Sequence, residues 1–142
     1  LRSFAYVQWD FANRIAVYSA TTPYEAHPTQ SLAAIPLEPE REGMIVKGMI
    51  DGRSQSILLD VCGDFELAMA EPPMNLVRQV ALDDVVMLQV RASSIREHGL
   101  GRADLPRVGT RLLSKYRVTL DNRRNEVVFE PPLRPGAPAA VR

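Results

Sequence analysis

The chain repeats itself. Setting Asp10 on Asp121, an offset of 121 − 10 = 111 residues, lays Leu1 to Tyr18 over Leu112 to Phe129. Leu1, Ser3, Val7, Asp10 and Val17 then fall on identical residues, Leu112, Ser114, Val118, Asp121 and Val128. Trp9 over Leu120 and Tyr18 over Phe129 keep their apolar character. Each copy places a turn stretch, Phe11-Ala12-Asn13-Arg14 or Asn122-Arg123-Arg124-Asn125, between two β-prone runs. Each therefore reads as a strand, a turn and a returning strand. Repetition at this spacing is what two tandem lobes would give. Residues 1–19 are thus expected to be a terminal hairpin from the tail of a preceding lobe.

The middle of the chain continues the β pattern. Met44 to Ile50 and Ser54 to Asp60 flank Asp51-Gly52. Asp and Gly tolerate the positive φ of a tight primed turn, so this segment predicts a hairpin whose second strand ends in Ile57-Leu58-Leu59-Asp60. A further strand is expected at Phe65 to Met69, before Pro72-Pro73. Leu76 to Leu82 and Val85 to Ala92 read as a second hairpin around Asp83-Asp84. Residues 20–43 carry Pro23, Pro28, Pro36 and Pro39 and read as a linker, with a short strand at Leu32 to Leu37. Residues 93–107 read as a polar loop, and residues 132–142 as a disordered tail.

Composition narrows the function classes. The chain has 142 residues, enough for one domain with a real core. Its formal net charge is +0, which gives no electrostatic case for nucleic acid or an anionic membrane. No apolar run approaches the roughly 18 residues of a spanning helix. One cysteine, Cys62, excludes an internal disulfide and a cysteine-based metal site. His27 and His98 have no metal-ligand spacing to Cys62 or to each other, so neither a metal nor a cofactor is expected. A Cys62–His98 nucleophilic pair is an open reading; a small buried cysteine is the simpler one. Gly99-Leu100-Gly101 lacks the strand-then-helix setting of a phosphate loop. Asp83 and Asp84 are neighbours on a strand-like segment and should face opposite sides.

Residues 108–129 carry a more specific signal. Val108-Gly109 opens a short amphipathic turn, Thr110 to Tyr116, and a strand hairpin follows. Together with Asp60 after its apolar strand, this resembles a lobe of the retropepsin-like or pepsin-like aspartic proteases over roughly residues 33–131. The resemblance implies a mainly-β, closed, barrel-like lobe at 44–131 with one short helix. It implies a flap-like hairpin at residues 76–92, although that hairpin lacks the glycine such flaps carry at the tip. It also implies that Asp60 is the catalytic aspartate, with Gly109 in the loop beneath it.

The family motif is Asp-Thr-Gly; here it reads Asp60-Val61-Cys62-Gly63. In such enzymes two carboxylates, one from each lobe or subunit, share a proton and a water, because close like charges cannot both ionise cheaply. The family threonine braces the two loops by hydrogen bonding, and Val61 has the shape without the hydroxyl. The family glycine lets backbone approach the carboxylate; Cys62 is expected to crowd or strain that loop. Three functions follow. The first is a catalytically degenerate lobe that binds peptides or serves assembly. The second is an active peptidase in which Asp60 works with a second aspartate from a homodimer partner or another lobe. The third is a non-enzymatic β-barrel interaction domain, alike in architecture alone. The expected partners are a peptide or protein substrate and a second lobe or subunit.

Overall fold

Two β assemblies share one apolar core. A computed structural model describes residues 3–26, 30–39, 42–72, 74–98 and 105–133. Its strands are β1 (Tyr6–Asp10), β2 (Ile15–Ser19), β3 (Ala33–Pro36), β4 (Ile45–Ile50), β5 (Arg53–Leu59), β6 (Leu67–Met69), β7 (Leu76–Leu82), β8 (Val85–Ser94), β9 (Arg107–Val108), β10 (Arg117–Asp121) and β11 (Glu126–Glu130). A 3₁₀ turn spans Ile95–His98, and helix α1 spans Thr110–Leu113. Strands β4-β5-β9-β6-β8-β7 close into a barrel, and β2-β1-β10-β11-β3 form a five-stranded sheet. The chain is therefore mainly β, as its hairpin pattern predicts, and closes a barrel, as the resemblance implies. Among the described residues, no helix is long and apolar enough to cross a membrane.

Local chemistry explains the hairpins. Asp51 and Gly52 have φ of 48° and 81°, the two positive values of a primed turn. The β4–β5 register follows, with Ile45 opposite Leu58 and Ile50 opposite Arg53. Alternation on these strands sends Val46, Ile57 and Leu59 inward. They meet Leu67, Val80, Leu82, Val90 and Val108 in the barrel. Leu112 and Leu113 of α1 continue this cluster to Val118, Leu120, Val127 and Phe129 of the sheet. Phe129 is 0 % exposed, and full burial of such a side chain contributes about 1.5–3 kcal/mol.

The terminal hairpins form as the repeat predicts, and they pair with each other. β1 and β10 are antiparallel neighbours, so both hairpins lie in one sheet. Residues 20–43 are more than a linker. Their strand β3 pairs with β11, and Tyr24 is buried against Tyr6 and Val128. The Tyr24 hydroxyl and the Arg117 guanidinium both hydrogen-bond Glu130, a glutamate fully removed from solvent. Gln8, whose amide reaches the Tyr24 hydroxyl, joins those three in one hydrogen-bonded network on the sheet face opposite the barrel.

The β7–β8 hairpin is not a free flap. β7 pairs with β4 as well as β8, and Leu82 and Val85 beside the turn are buried in the core. Apolar residues at both ends of the turn favour a barrel wall over a lid. Asp83 and Asp84 form the turn itself, with Asp83 at φ 53°. Residues 93–98, expected in a loop, finish β8 and make the 3₁₀ turn. His27, Gly99, Gly101 and the tail from residue 134 lie outside the described residues.

Candidate functional site

Asp60 sits where two loops cross at one end of the barrel. β5 delivers it, and its amide donates to the Val108 carbonyl at 2.8 Å. β9 lies between β5, to which it is parallel, and β6, to which it is antiparallel. The segment joining β5 to β6 must therefore pass across the end of β9. The crossing is close. A Cβ on Gly109 would lie 2.4 Å from the Phe65 carbonyl oxygen, and one on Gly63 would lie 2.5 Å from the Phe65 ring. Both positions exclude any side chain without local movement.

The glycine one place later than the family motif is therefore structurally required. Gly63 also lies under the carboxyl, its Cβ direction 3.1 Å from Asp60 Cγ. Its carbonyl accepts the Thr110 amide at 2.7 Å and the Thr110 hydroxyl at 2.8 Å. Cys62, by contrast, is exposed and outside the left-handed backbone region, so its side chain neither crowds nor strains the loop. Its amide donates to Asp60 Oδ1 at 3.0 Å. Val61 is half-buried and packs against the main apolar cluster.

The other carboxylate oxygen is also engaged. Arg107 donates from Nη1 to Asp60 Oδ2 at 3.4 Å, and both side chains are mostly shielded, at 20 % and 14 % exposure. Where the segment after β5 meets α1, Arg111 pairs with Asp64 at 2.9 Å on the surface. This pairing holds the Asp64 carboxyl below the usual carboxylate range, chiefly through the Arg111 hydrogen bond and its charge. Asp60–Arg107, Gly63–Thr110 and Asp64–Arg111 are each 47 residues apart, and all three join the segment after β5 to β9 and the start of α1. Arg107 has no place in the sequence reading. Its signal was the matched spacing of Asp60 and Asp64 with Arg107 and Arg111.

The arrangement can hold one carboxylate in a fixed orientation. It does not by itself make an acid–base pair. Among the described residues, the partners of the Asp60 side chain are the Cys62 amide and Arg107. Also among them, no group of three or more His, Cys, Asp and Glu residues could hold a metal ion. The Cys62–His98 pair does not form: His98 Nε2 is 2.7 Å from Ser93 Oγ, and its ring lies 4.8 Å from that of Phe65. A cleft of about 670 Å³ between Arg53, Gln55, Met69 and Val77 lies at the far end of β5 from Asp60. Comparison with family models and with curated proteins finds no match to this chain.

Proposed function

We propose that this chain is a retropepsin-like lobe that is catalytically silent by itself and serves peptide binding or assembly. The observation that carries the reading is the state of Asp60. Its position at the end of β5, beneath a glycine crossing and with an amide on Oδ1, suits an aspartic-protease loop. Its Oδ2 faces Arg107 at 3.4 Å, where a proton-sharing carboxyl would have to come. Val61 packs into the core and offers no hydroxyl to brace a second loop. An aspartic peptidase needs one carboxyl as base and another as acid, and a guanidinium supplies neither function.

The test is hydrolysis of a peptide library by the purified chain at acid and neutral pH. No cleavage above background is expected, with or without an aspartic-protease transition-state analogue. Cleavage blocked by that analogue and lost in Asp60→Asn would establish the active peptidase instead.

A further inference from the structure

His98, which does not reach Cys62, meets a serine instead. β8 ends at Ser93 and Ser94, and the 3₁₀ turn Ile95–His98 brings His98 back to Ser93. Ile95 anchors that turn, buried with Phe65 and Ala68. Ser94 Oγ accepts the Arg96 amide at 3.2 Å where the turn begins. On the other side, Ser93 lies opposite Ala68 in the parallel β6–β8 register. The histidine ring rests on Phe65, with centroids 4.8 Å apart and planes inclined at 43°. Phe65 is itself buried and is packed against Gly63 and Gly109 in the loop crossing. The imidazole therefore stands on a fixed platform, and Ser93 stands on the end of a paired strand.

The Ser93 hydroxyl lies between two acceptors. Its Oγ is 2.7 Å from His98 Nε2 and 3.2 Å from the Leu67 carbonyl oxygen. A hydroxyl has one proton to give. Given to the carbonyl, it leaves the imidazole as donor and the serine inert. Given to the imidazole, it makes the serine a nucleophile with a general base already within hydrogen-bond reach. The imidazole contact is the shorter of the two. Asp64 is near enough for the His98 charge to act on its carboxyl, although its chief partner is Arg111. A carboxylate in that position favours the imidazolium that forms when the serine proton moves. The pair is exposed, so a substrate reaches it without displacing any part of the fold.

We propose that Ser93 is an acyl-accepting nucleophile with His98 as its base, forming an esterase-type site at the end of β8. Ser93 Oγ attacks the carbonyl carbon of a carboxylic ester, and its proton passes to His98 Nε2. The bond from that carbon to the leaving oxygen then breaks, and the imidazolium returns the proton to the departing alcohol or phenol. Water, deprotonated by the same imidazole, hydrolyses the acyl-serine and restores the hydroxyl. Because the pair is open, solvent rather than a closed pocket meets the developing oxyanion. The substrate is therefore an ester with a readily expelled phenol or alcohol. The site uses neither Asp60 nor a second carboxylate, and it stands whether or not the lobe reading holds.

The probe is an alkyl fluorophosphonate, which a nucleophilic serine captures by forming an O–P bond as the P–F bond breaks. The full-length chain is treated near pH 8, where imidazole is neutral, and the adduct is mapped by mass spectrometry. Labelling is expected at Ser93, absent in Ser93→Ala and lost from the parent in urea. His98→Gln keeps a side-chain amide that can hydrogen-bond Ser93 but supplies no base. It is expected to slow labelling at least about 100-fold, the lower end of what general-base catalysis contributes, with an unchanged circular dichroism spectrum. Nitrogen NMR of the unlabelled parent is expected to show His98 with its proton on Nδ1 and an unprotonated Nε2. No adduct at Ser93, an adduct formed equally fast in His98→Gln, or a neutral His98 protonated on Nε2 would each overturn the proposal.

Discussion

Arg107 Nη1 lies 3.4 Å from Asp60 Oδ2, so a permanent positive charge faces the carboxylate. Both side chains are mostly shielded, so solvent screens the pair less than a surface one. A double-mutant cycle of Asp60→Asn and Arg107→Leu should therefore give a favourable coupling of about 1 kcal/mol in urea unfolding, at or above the upper end for exposed ion pairs. Coupling indistinguishable from zero would show that the two groups are neighbours without interaction.

Gly109 and Gly63 hold the crossing together by having no side chain. Gly109→Ala pushes a Cβ against the Phe65 carbonyl, which is backbone and cannot rotate away. A loss of at least about 1–3 kcal/mol is expected from this overpacking. Gly63→Ala meets side-chain atoms, the Phe65 ring and the Asp60 carboxyl, rather than backbone, so its loss should be smaller. Chemical denaturation of both variants checks the order; equal or reversed losses would show that the carbonyl contact is not the constraint.

These particulars show what the sequence could reveal. Hairpins were legible because their signals are local: Asp51-Gly52 sets its own turn, and the repeat aligned β1–β2 with β10–β11 to the residue. The closed barrel was expected from the family resemblance, but which strands close it was not legible, because β4–β7 pairing depends on residues remote in sequence, such as Met49 and Ala81. Hence the β7–β8 hairpin read as a flap. Asp60 was found from its strand, and Arg107 was missed because the contact depends on the parallel β5–β9 alignment. The lateness of Gly63 read as a defect, although the close approach of Phe65 requires glycine there.

Acid should weaken the link between the Asp60 loop and α1. Asp64 is held below its ordinary carboxylate range by Arg111. A group with a depressed folded pKa stabilises the fold above its unfolded pKa, and the contribution is lost as pH falls through the folded value. Arg111→Gln should therefore lower stability somewhat above the ordinary aspartate range and converge on the parent at lower pH, so that the acid limb flattens. Proton titration of Asp64 by carboxyl NMR would check this. An unmoved Asp64 titration in the variant would contradict it.

Alkali should act on Tyr116. Burial raises its phenol pKa above the ordinary tyrosine value, and its ring meets Phe129 edge-on at 5.7 Å. A raised folded pKa gives stability that is complete below the unfolded pKa and lost as pH rises through the folded value. Ultraviolet titration should show one tyrosine ionising later than an ordinary one, and Tyr116→Phe should remove that late step. If the late step survives, it belongs to another tyrosine.

On the proposed lobe reading, introducing the aspartic-protease motif alone should not produce catalysis. Val61→Thr with Cys62→Gly replaces the bracing hydroxyl and the small loop residue, yet Cys62 already points outward and its amide already serves Asp60 Oδ1. The obstacle that remains is Arg107. Adding Arg107→Leu removes the guanidinium from Oδ2, but one lobe still presents one carboxylate, and both acid and base are needed. The double and triple variants should therefore fold and remain inactive as isolated chains. On the same reading, activity should require a second lobe or subunit that brings a second aspartate, and then only in the triple variant. Peptide hydrolysis at acid pH, with and without a transition-state analogue, separates these cases. Turnover by the isolated double variant would show that neither Arg107 nor a second lobe limits this site.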